Sequence, residues 1–273
     1  MPTDIGNNEK TIIRAVKGND TITLNDAILI AGFPGAGLVG SMSANYIIEQ
    51  QKMRQIAFVD SDFITPGVMY IGGKLRHPFR IYANDEGTAC VLVCDAPILI
   101  SGIRPLLNSV VKWAKNNQVR EIMVLEGIAS PNMPDKNREP IILSSDGKTC
   151  DDHCYLSRMK ENTRGEKGFT GPPAFIVGIS GGLLAACLSN GIPCTGLFIP
   201  SIPGIPDPEG AAILIEKTNE LANNPFKIDV HQLRKEAAEL KRQMQELIES
   251  INRQQQQQNE HAQLGGGAQR IYS

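Results

Sequence analysis

The sequence predicts an α/β fold, a three-layer α/β/α sandwich built on a mostly parallel sheet. Two observations carry this. From about Thr11 to about Ala222, short strand-like runs alternate with helical patterns, the order that places helices on both faces of a sheet. The strand-like runs are also continuously apolar, as strands covered on both faces are.

Taken in order, residues 1–10 are polar and read as a loose, disordered lead-in. The strand-like runs are "AILIAGF", "QIAFVD", "RIYA", "ACVLVCD", "EIMVLEG", "AFIVGIS" and "CTGLFIP". Between them the spacing predicts helices over 38–52, 103–117, 183–190 and 209–222. "VMYIGGKLRHPFRIYA" reads as a hairpin turning near Gly72-Gly73. Residues 131–173, rich in Pro, Gly, Asn, Asp and Lys, read as a long surface excursion from a body spanning 11–225.

After Pro225 the pattern changes. Over 226–253, Val230, Leu233, Ala237, Leu240, Met244, Leu247 and Ile251 recur at alternating spacings of three and four. That is a heptad seam of an amphipathic or coiled-coil helix. Such a helix either lies on its own domain or joins copies of the chain. Residues 254–273 continue as a low-complexity tail, "QQQQQNEHAQLGGGAQR" followed by Ile271, Tyr272 and Ser273. As a flexible chain, 17 residues span about 23 Å r.m.s.. A β-branched residue and an aromatic at the end of such a leash suggest insertion into something.

Composition narrows the function classes. Of the 273 residues, 41% are apolar and 21% charged, ordinary for a globular protein. A net charge of −2 gives no whole-molecule attraction to nucleic acid or an anionic membrane. Aromatics, at 5%, supply a base-stacking surface poorly. "MPTDIG" has neither the basic nor the apolar region of a signal peptide, and no apolar run approaches the ~20 residues of a spanning helix. A cytoplasmic protein with its six cysteines as thiols is expected.

The chemical motifs are few. In "AGFPGAGLVGS", Gly35, Gly37 and Gly40 spell G-x-G-x-x-G between a strand and a helix, and Asp60 follows twenty residues later. That is the dinucleotide fingerprint, with the helix N-terminus for pyrophosphate and the acid for a ribose hydroxyl. The same glycines also permit a plain tight turn with close packing. A second strand–glycine–helix junction is read in "VGISGGLLAAC". With Asp60, Asp95 and Glu126 closing strand-like runs, acids and glycines gather at the carboxyl edge of the sheet. Cys150, His153 and Cys154 are soft ligands but fall short of the four a structural zinc needs, so no metal is expected. None of the four histidines ends a strand, and no catalytic Ser-His-Asp or Cys-His order is readable.

Three blocks, "AILIAGFPGAGLVGSMSANYIIEQ", "DFITPGVMYIGGKLRHPFRIY" and "FIVGISGGLLAACLSNGIPCTGLFIPS", together resemble the proteasome assembly chaperone family in its archaeal form. The resemblance covers roughly residues 20–220. It implies a phosphorylase/hydrolase-like sandwich, a homo-oligomer, no cofactor and no established catalysis. It also implies a role for Ile271-Tyr272-Ser273, which matches the family's C-terminal hydrophobic–Tyr–any motif. That motif docks between α subunits of the proteasome core particle: a terminal carboxylate meets a pocket lysine while the ring fills an apolar slot. The expectation is a non-enzymatic assembly chaperone or ATP-independent activator of the proteasome. Two alternatives stand beside it: a nucleotide-dependent enzyme using Gly35, Gly37, Gly40 and Asp60, and a coiled-coil scaffold with an inert tail.

Overall fold

The computed structural model of the protein describes residues 11–16, 22–130, 138–145, 175–221, 227–240 and 242–243. Its first unit is Met1–Val230 and its second His231–Ser273. The first unit is built on an eight-stranded sheet. In chain order its elements are β1 (Thr11–Ala15), β2 (Ala27–Gly32), α1 (Val39–Gln50), β3 (Arg54–Ser61), β4 (Met69–Ile71), β5 (Lys74–Arg76) and β6 (Phe79–Ala83). Then come β7 (Ala89–Cys94), α2 (Ile100–Asn116), β8 (Val119–Ala129), β9 (Ile141–Ser144), α3 (Gly178–Asn190), β10 (Cys194–Ser201) and α4 (Pro208–Glu220).

The sheet order is β1-β3-β6-β7-β2-β8-β10-β9. The parallel ladder expected from the sequence is its centre, β7-β2-β8-β10. Outside that centre the ladders run antiparallel. The reason is connection length: β6 and β7 are joined by a short turn, which permits only an antiparallel pair.

Crossover handedness sets the layers. The β2–α1–β3 connection runs toward one side of the sheet, whereas β7–α2–β8 and β8–α3–β10 run toward the other. Right-handed crossovers therefore place α1 on one face and α2 with α3 on the opposite face. The side chains agree. Leu29 and Ala31 of β2, Leu92 of β7 and Val124 of β8 are buried in one cluster with Leu106, Leu107 and Val110 of α2 and Leu183 of α3. Ile28, Ile30, Val91 and Leu125, the alternate positions, are buried as well, as are Val39 and Ile47 of α1 and Leu214 and Ile215 of α4. Helices α1 and α4 pack together, and Ser43 donates to the Ala211 carbonyl at 3.4 Å.

Three expectations need correction. "AFIVGIS" is not a strand: residues 175–177 are irregular and α3 starts at Gly178. The chain doubles back so tightly there that a Cβ on Gly181 would lie 2.2 Å from the Ile176 carbonyl oxygen. The junction read in "VGISGGLLAAC" is thus a helix start without a strand before it. Second, the excursion contributes an edge strand, β9, antiparallel to β10. Third, α2 begins three residues earlier than its apolar spacing implied, which leaves Pro105 inside the helix. Its first turn passes over Phe63, and a Cβ on Gly102 would come within 2.1 Å of the Phe63 Cβ.

The hairpin is present as β4–β5, with Gly72 at φ 58° and Gly73 at φ 77°. Two consecutive left-handed residues are what a two-residue hairpin turn demands. In the second unit, residues 231–240 are helical. Leu233 is buried and Ala237 and Leu240 are half-buried, while every other position of that stretch is exposed. Val230 precedes this helix in the irregular stretch 227–230, and Met244, Leu247 and Ile251 lie outside the described residues.

Candidate functional site at the carboxyl edge of the sheet

The β2–α1 connection holds the three fingerprint glycines at the carboxyl edge of the parallel strands. Helices leave toward opposite faces from β2 and β8, which makes this the topological switch point where α/β sheets hold ligands. The backbone is strained there: Gly37 has φ 64° and Leu38, with a side chain, φ 52°.

Each glycine has a structural neighbour in the space its missing Cβ leaves. A Cβ on Gly40 would meet the Leu125 carbonyl oxygen at 2.3 Å, so this glycine seats α1 against β8. On Gly37 it would meet Ser201 Oγ at 2.0 Å and Asp207 Cβ at 2.8 Å. On Gly35 it would meet Glu126 Oε1 at 2.8 Å. The face of Gly37 that a pyrophosphate would approach is therefore filled by Ser201 and Asp207. Asp60 is not brought to the loop. Two strands, β6 and β7, lie between β3 and β2, a lateral offset of about 14 Å. Its carboxylate instead pairs with Arg14 at 3.3 Å on the exposed sheet edge. The dinucleotide constellation is not assembled, because the strand after α1 is inserted far out in the sheet and not beside β2.

What the edge does assemble is a set of polar anchors. Asp207 caps α4, accepting from the Gly210 amide at 2.9 Å, with Pro208 at the first helical position. It also accepts from Arg138 at 2.5 Å and from the Ser201 hydroxyl at 2.6 Å, and its own amide donates to the Gly37 carbonyl at 2.9 Å. One residue thus ties the β2–α1 loop, the end of β10, the start of α4 and the segment before β9. A second anchor is Arg80, a fully buried guanidinium on β6. It donates to Asp95 at 2.5 Å, to the His77 carbonyl at 2.6 Å and to the Tyr82 hydroxyl at 3.1 Å. This fixes the β6–β7 ends against the hairpin root, where the His77 ring stacks on Phe58 with centroids 3.6 Å apart.

Glu126 on β8 lies between Gly35 and Ser180 in the first turn of α3. Burial pushes its carboxyl above the ordinary 4.5, outweighing the opposing pull of Ser180. The Ser180 hydroxyl is buried beside it without a hydrogen bond of ordinary geometry. Burial likewise holds the thiols of Cys90 and Cys94 in the protonated form, Cys94 up to about 12, so neither is a nucleophile at neutral pH. Among the described residues no group of three or more His, Cys, Asp or Glu could hold a metal, and Cys150, His153 and Cys154 lie outside them. No helix among the described residues is long and apolar enough to cross a membrane. Ile271, Tyr272 and Ser273 also lie outside the described residues.

Asp95 and Glu126 were legible in the sequence as strand-end acids. Arg80, Arg138 and Asp207 were not, although "DPEG" carries the signature of a helix start: an acidic cap, then Pro.

The fold recurs in known proteins. A Thermoplasma acidophilum protein of unknown function is 31% identical, with 86% of this chain and 91% of that one covered, at TM-score 0.65. Pyrococcus furiosus PbaA, described as an archaeal homolog of proteasome-assembly chaperone, shares the fold at 22% identity and TM-score 0.71, covering 92% of this chain and 98% of its own. Pyrococcus furiosus PbaB, described as an archaeal proteasome activator, shares it at 20% identity and TM-score 0.66, covering 88% and 99%. The family profile of the PAC2 family matches residues 29–248, most of the body and the first part of the second unit, and the chain belongs to that family.

Proposed function

We propose that this protein is a non-enzymatic proteasome assembly chaperone or ATP-independent activator, acting as a homo-oligomer on the α-ring of the core particle. The observation that carries the reading is the PAC2 membership of the body, together with a fold it shares over 92% of its length with PbaA and 88% with PbaB. The carboxyl edge supports the non-enzymatic part. Two pairs of its charged groups, Arg80 with Asp95 and Arg138 with Asp207, are spent on one another, and the glycine loop is packed against protein.

The finer proposal concerns the tail. Ile271, Tyr272 and Ser273 would dock between α subunits, the ring in an apolar slot and the Ser273 carboxylate on a lysine. The 17-residue stretch before them would supply reach, about 23 Å r.m.s.. Val230 and Leu233 of the heptad seam are buried within their own chain, so only its later positions, Ala237 to Ile251, would add helix-to-helix contacts between copies.

Co-sedimentation with purified core particles, with peptide hydrolysis read on the same samples, tests this. Tyr272→Ala removes an aromatic anchor, a loss of about 2 kcal/mol or roughly thirtyfold per site, compounded when several tails engage one ring. One residue appended after Ser273 is expected to do nearly as much harm by displacing the carboxylate. Equal binding by wild type, Tyr272→Ala and the extended chain would make the tail inert.

A further inference from the structure

Cys187 stands near the end of α3 and Cys194 opens β10, with six residues between them. The turn joining the two elements is tight. Gly191 closes α3 at φ 65°, and the Ile192 amide donates back to the Cys187 carbonyl at 3.1 Å. Beyond it the chain is held from both sides. The Pro193 carbonyl accepts from the Ile122 amide of β8 at 3.0 Å. The Cys194 amide donates to the Ser145 hydroxyl at 3.0 Å, and its carbonyl accepts from the Ser145 amide at 2.9 Å, just past β9. The backbones of both cysteines are therefore fixed.

Their side chains meet. Helical side chains lean toward the helix N-terminus, so Cys187 lies over the turn that holds Leu184. Cys194 reaches the same turn from the sheet, its Sγ 3.9 Å from the Leu184 carbonyl oxygen. There the Cys187 thiol donates a hydrogen bond to the Cys194 sulfur. Accepting it lowers the Cys194 thiol to about 7; burial works against this, and a second hydrogen bond, from Ser145, works with it. Donating it, together with burial, pushes the Cys187 thiol up. One sulfur is thus readied as a thiolate and the other waits beside it as a thiol.

The surroundings select the reagent. Cys187 is fully buried and Cys194 is 4% exposed, next to the exposed Ser145. A site so enclosed admits only a very small oxidant. Cys90 and Cys94 offer no such pair. They stand four residues apart on β7, about 13 Å, beyond the reach of a disulfide.

We propose that Cys187 and Cys194 are a dithiol that hydrogen peroxide closes into a disulfide and a small thiol reopens. The Cys194 thiolate attacks one peroxide oxygen; the O–O bond breaks, and the departing hydroxide takes a proton from solvent as water. The product at Cys194 is a sulfenic acid. The Cys187 sulfur then attacks the Cys194 sulfur, the S–O bond breaks, and the hydroxyl leaves with the thiol proton as a second water. Two electrons pass from the two sulfurs to one peroxide. The bond staples the end of α3 to the amino end of β10. The Asp207 anchor lies at the other end of that strand, on Ser201, and is left as it is. Nothing in this depends on the proteasome reading.

The full-length protein tests it. The protein is treated with hydrogen peroxide, quenched with catalase, unfolded, alkylated with iodoacetamide and digested with trypsin. Both cysteines fall in one tryptic peptide, 168–217, so its mass reads them together. The expected product is that peptide lighter by two hydrogens and without an alkyl group, returned to the doubly alkylated form by prior dithiothreitol. Closing so short a ring should also raise Tm by about 5 °C, reversibly. Cys187→Ser removes the resolving thiol, and its Cys194 is expected to stop at the sulfenic acid, captured by dimedone. A wild-type peptide that stays doubly alkylated would overturn the inference. So would oxygen gained on either cysteine without loss of the two hydrogens, or a bridge from either one to Cys90 or Cys94.

Discussion

Gly37→Ala isolates what the glycine loop is for. The substitution does two separable things. It places a side chain at φ 64°, which costs about 1–2 kcal/mol in the left-handed region. It also drives a Cβ to 2.0 Å from Ser201 Oγ, far inside the 3.4 Å at which ordinary contact begins. The hydroxyl must leave, and its 2.6 Å hydrogen bond to the Asp207 carboxylate goes with it, a further loss of about 1.5–3 kcal/mol. The total is about 2.5–5 kcal/mol, or roughly 10 °C of Tm for a chain of this size. Gly72→Ala is the control: φ is 58°, but no atom lies within 4 Å of the added Cβ, so only the backbone penalty applies. Thermal melts at one fixed protein concentration should therefore order the proteins as wild type, then Gly72→Ala, then Gly37→Ala. Adding Ser201→Ala to Gly37→Ala should cost less than the two singles together, because the clashing atom is gone. If Gly37→Ala melts with Gly72→Ala, the packing account is wrong. Micromolar ATP or NAD binding by the wild type, lost in Gly37→Ala, would restore the nucleotide reading.

The edge carries two further expected outcomes. Asp95→Asn should lower the urea midpoint by the equivalent of about 3–5 kcal/mol, since it leaves the buried Arg80 guanidinium with only neutral acceptors. Arg80→Leu combined with Asp95→Asn should recover part of that; no recovery would mean the loss comes from packing. Glu126 predicts a pH signature: its folded carboxyl titrates above the ordinary 4.5 because burial disfavours the charge. The stability it contributes is complete below the unfolded value and drains away as pH rises through the folded one. Glu126→Gln should therefore raise Tm near about pH 7.5, with the gain closing below about pH 4. A gain that is the same at both pH values would exclude ionisation as its cause.

The body of the fold was legible because its central strands are buried on both faces and read as unbroken apolar runs. The same signal misled at "AFIVGIS". There the apolar residues Phe175 and Val177 are 89% and 66% exposed, and a surface patch looks in sequence like a buried strand. Edge strands were harder to see. β1, "TIIRA", and β9, "IILS", carry half-exposed mixed residues whose pairing depends on the neighbour they find. The site was legible as residue types and not as partners. Gly35, Gly37 and Gly40 stood out, but what they touch (Glu126, Ser201 and Leu125) is between 85 and 164 residues away in the chain. No local spacing encodes that. Asp60 sat at the distance the fingerprint asks for, yet distance along the chain says nothing about where the next strand enters the sheet.

The strand order also sets a schedule for synthesis. β3, β6 and β7 form an antiparallel meander of near neighbours in sequence, cheap to close and able to form early. β2 is made before any of them, yet its place is between β7 and β8, and β8 ends at Ala129. At ribosomal speed, on the order of 5–20 residues per second, β2 waits roughly 5–20 s for its second neighbour. The ladder from β8 to β10 waits for about seventy residues more, a gap read directly from the positions of Ala129 and Ser201. Until then the nascent chain carries an open apolar strand edge at what will become the middle of the sheet. Slow, late closure of this kind is where kinetic traps and aggregation arise, so the half-made sheet is more exposed to misassembly than the finished one.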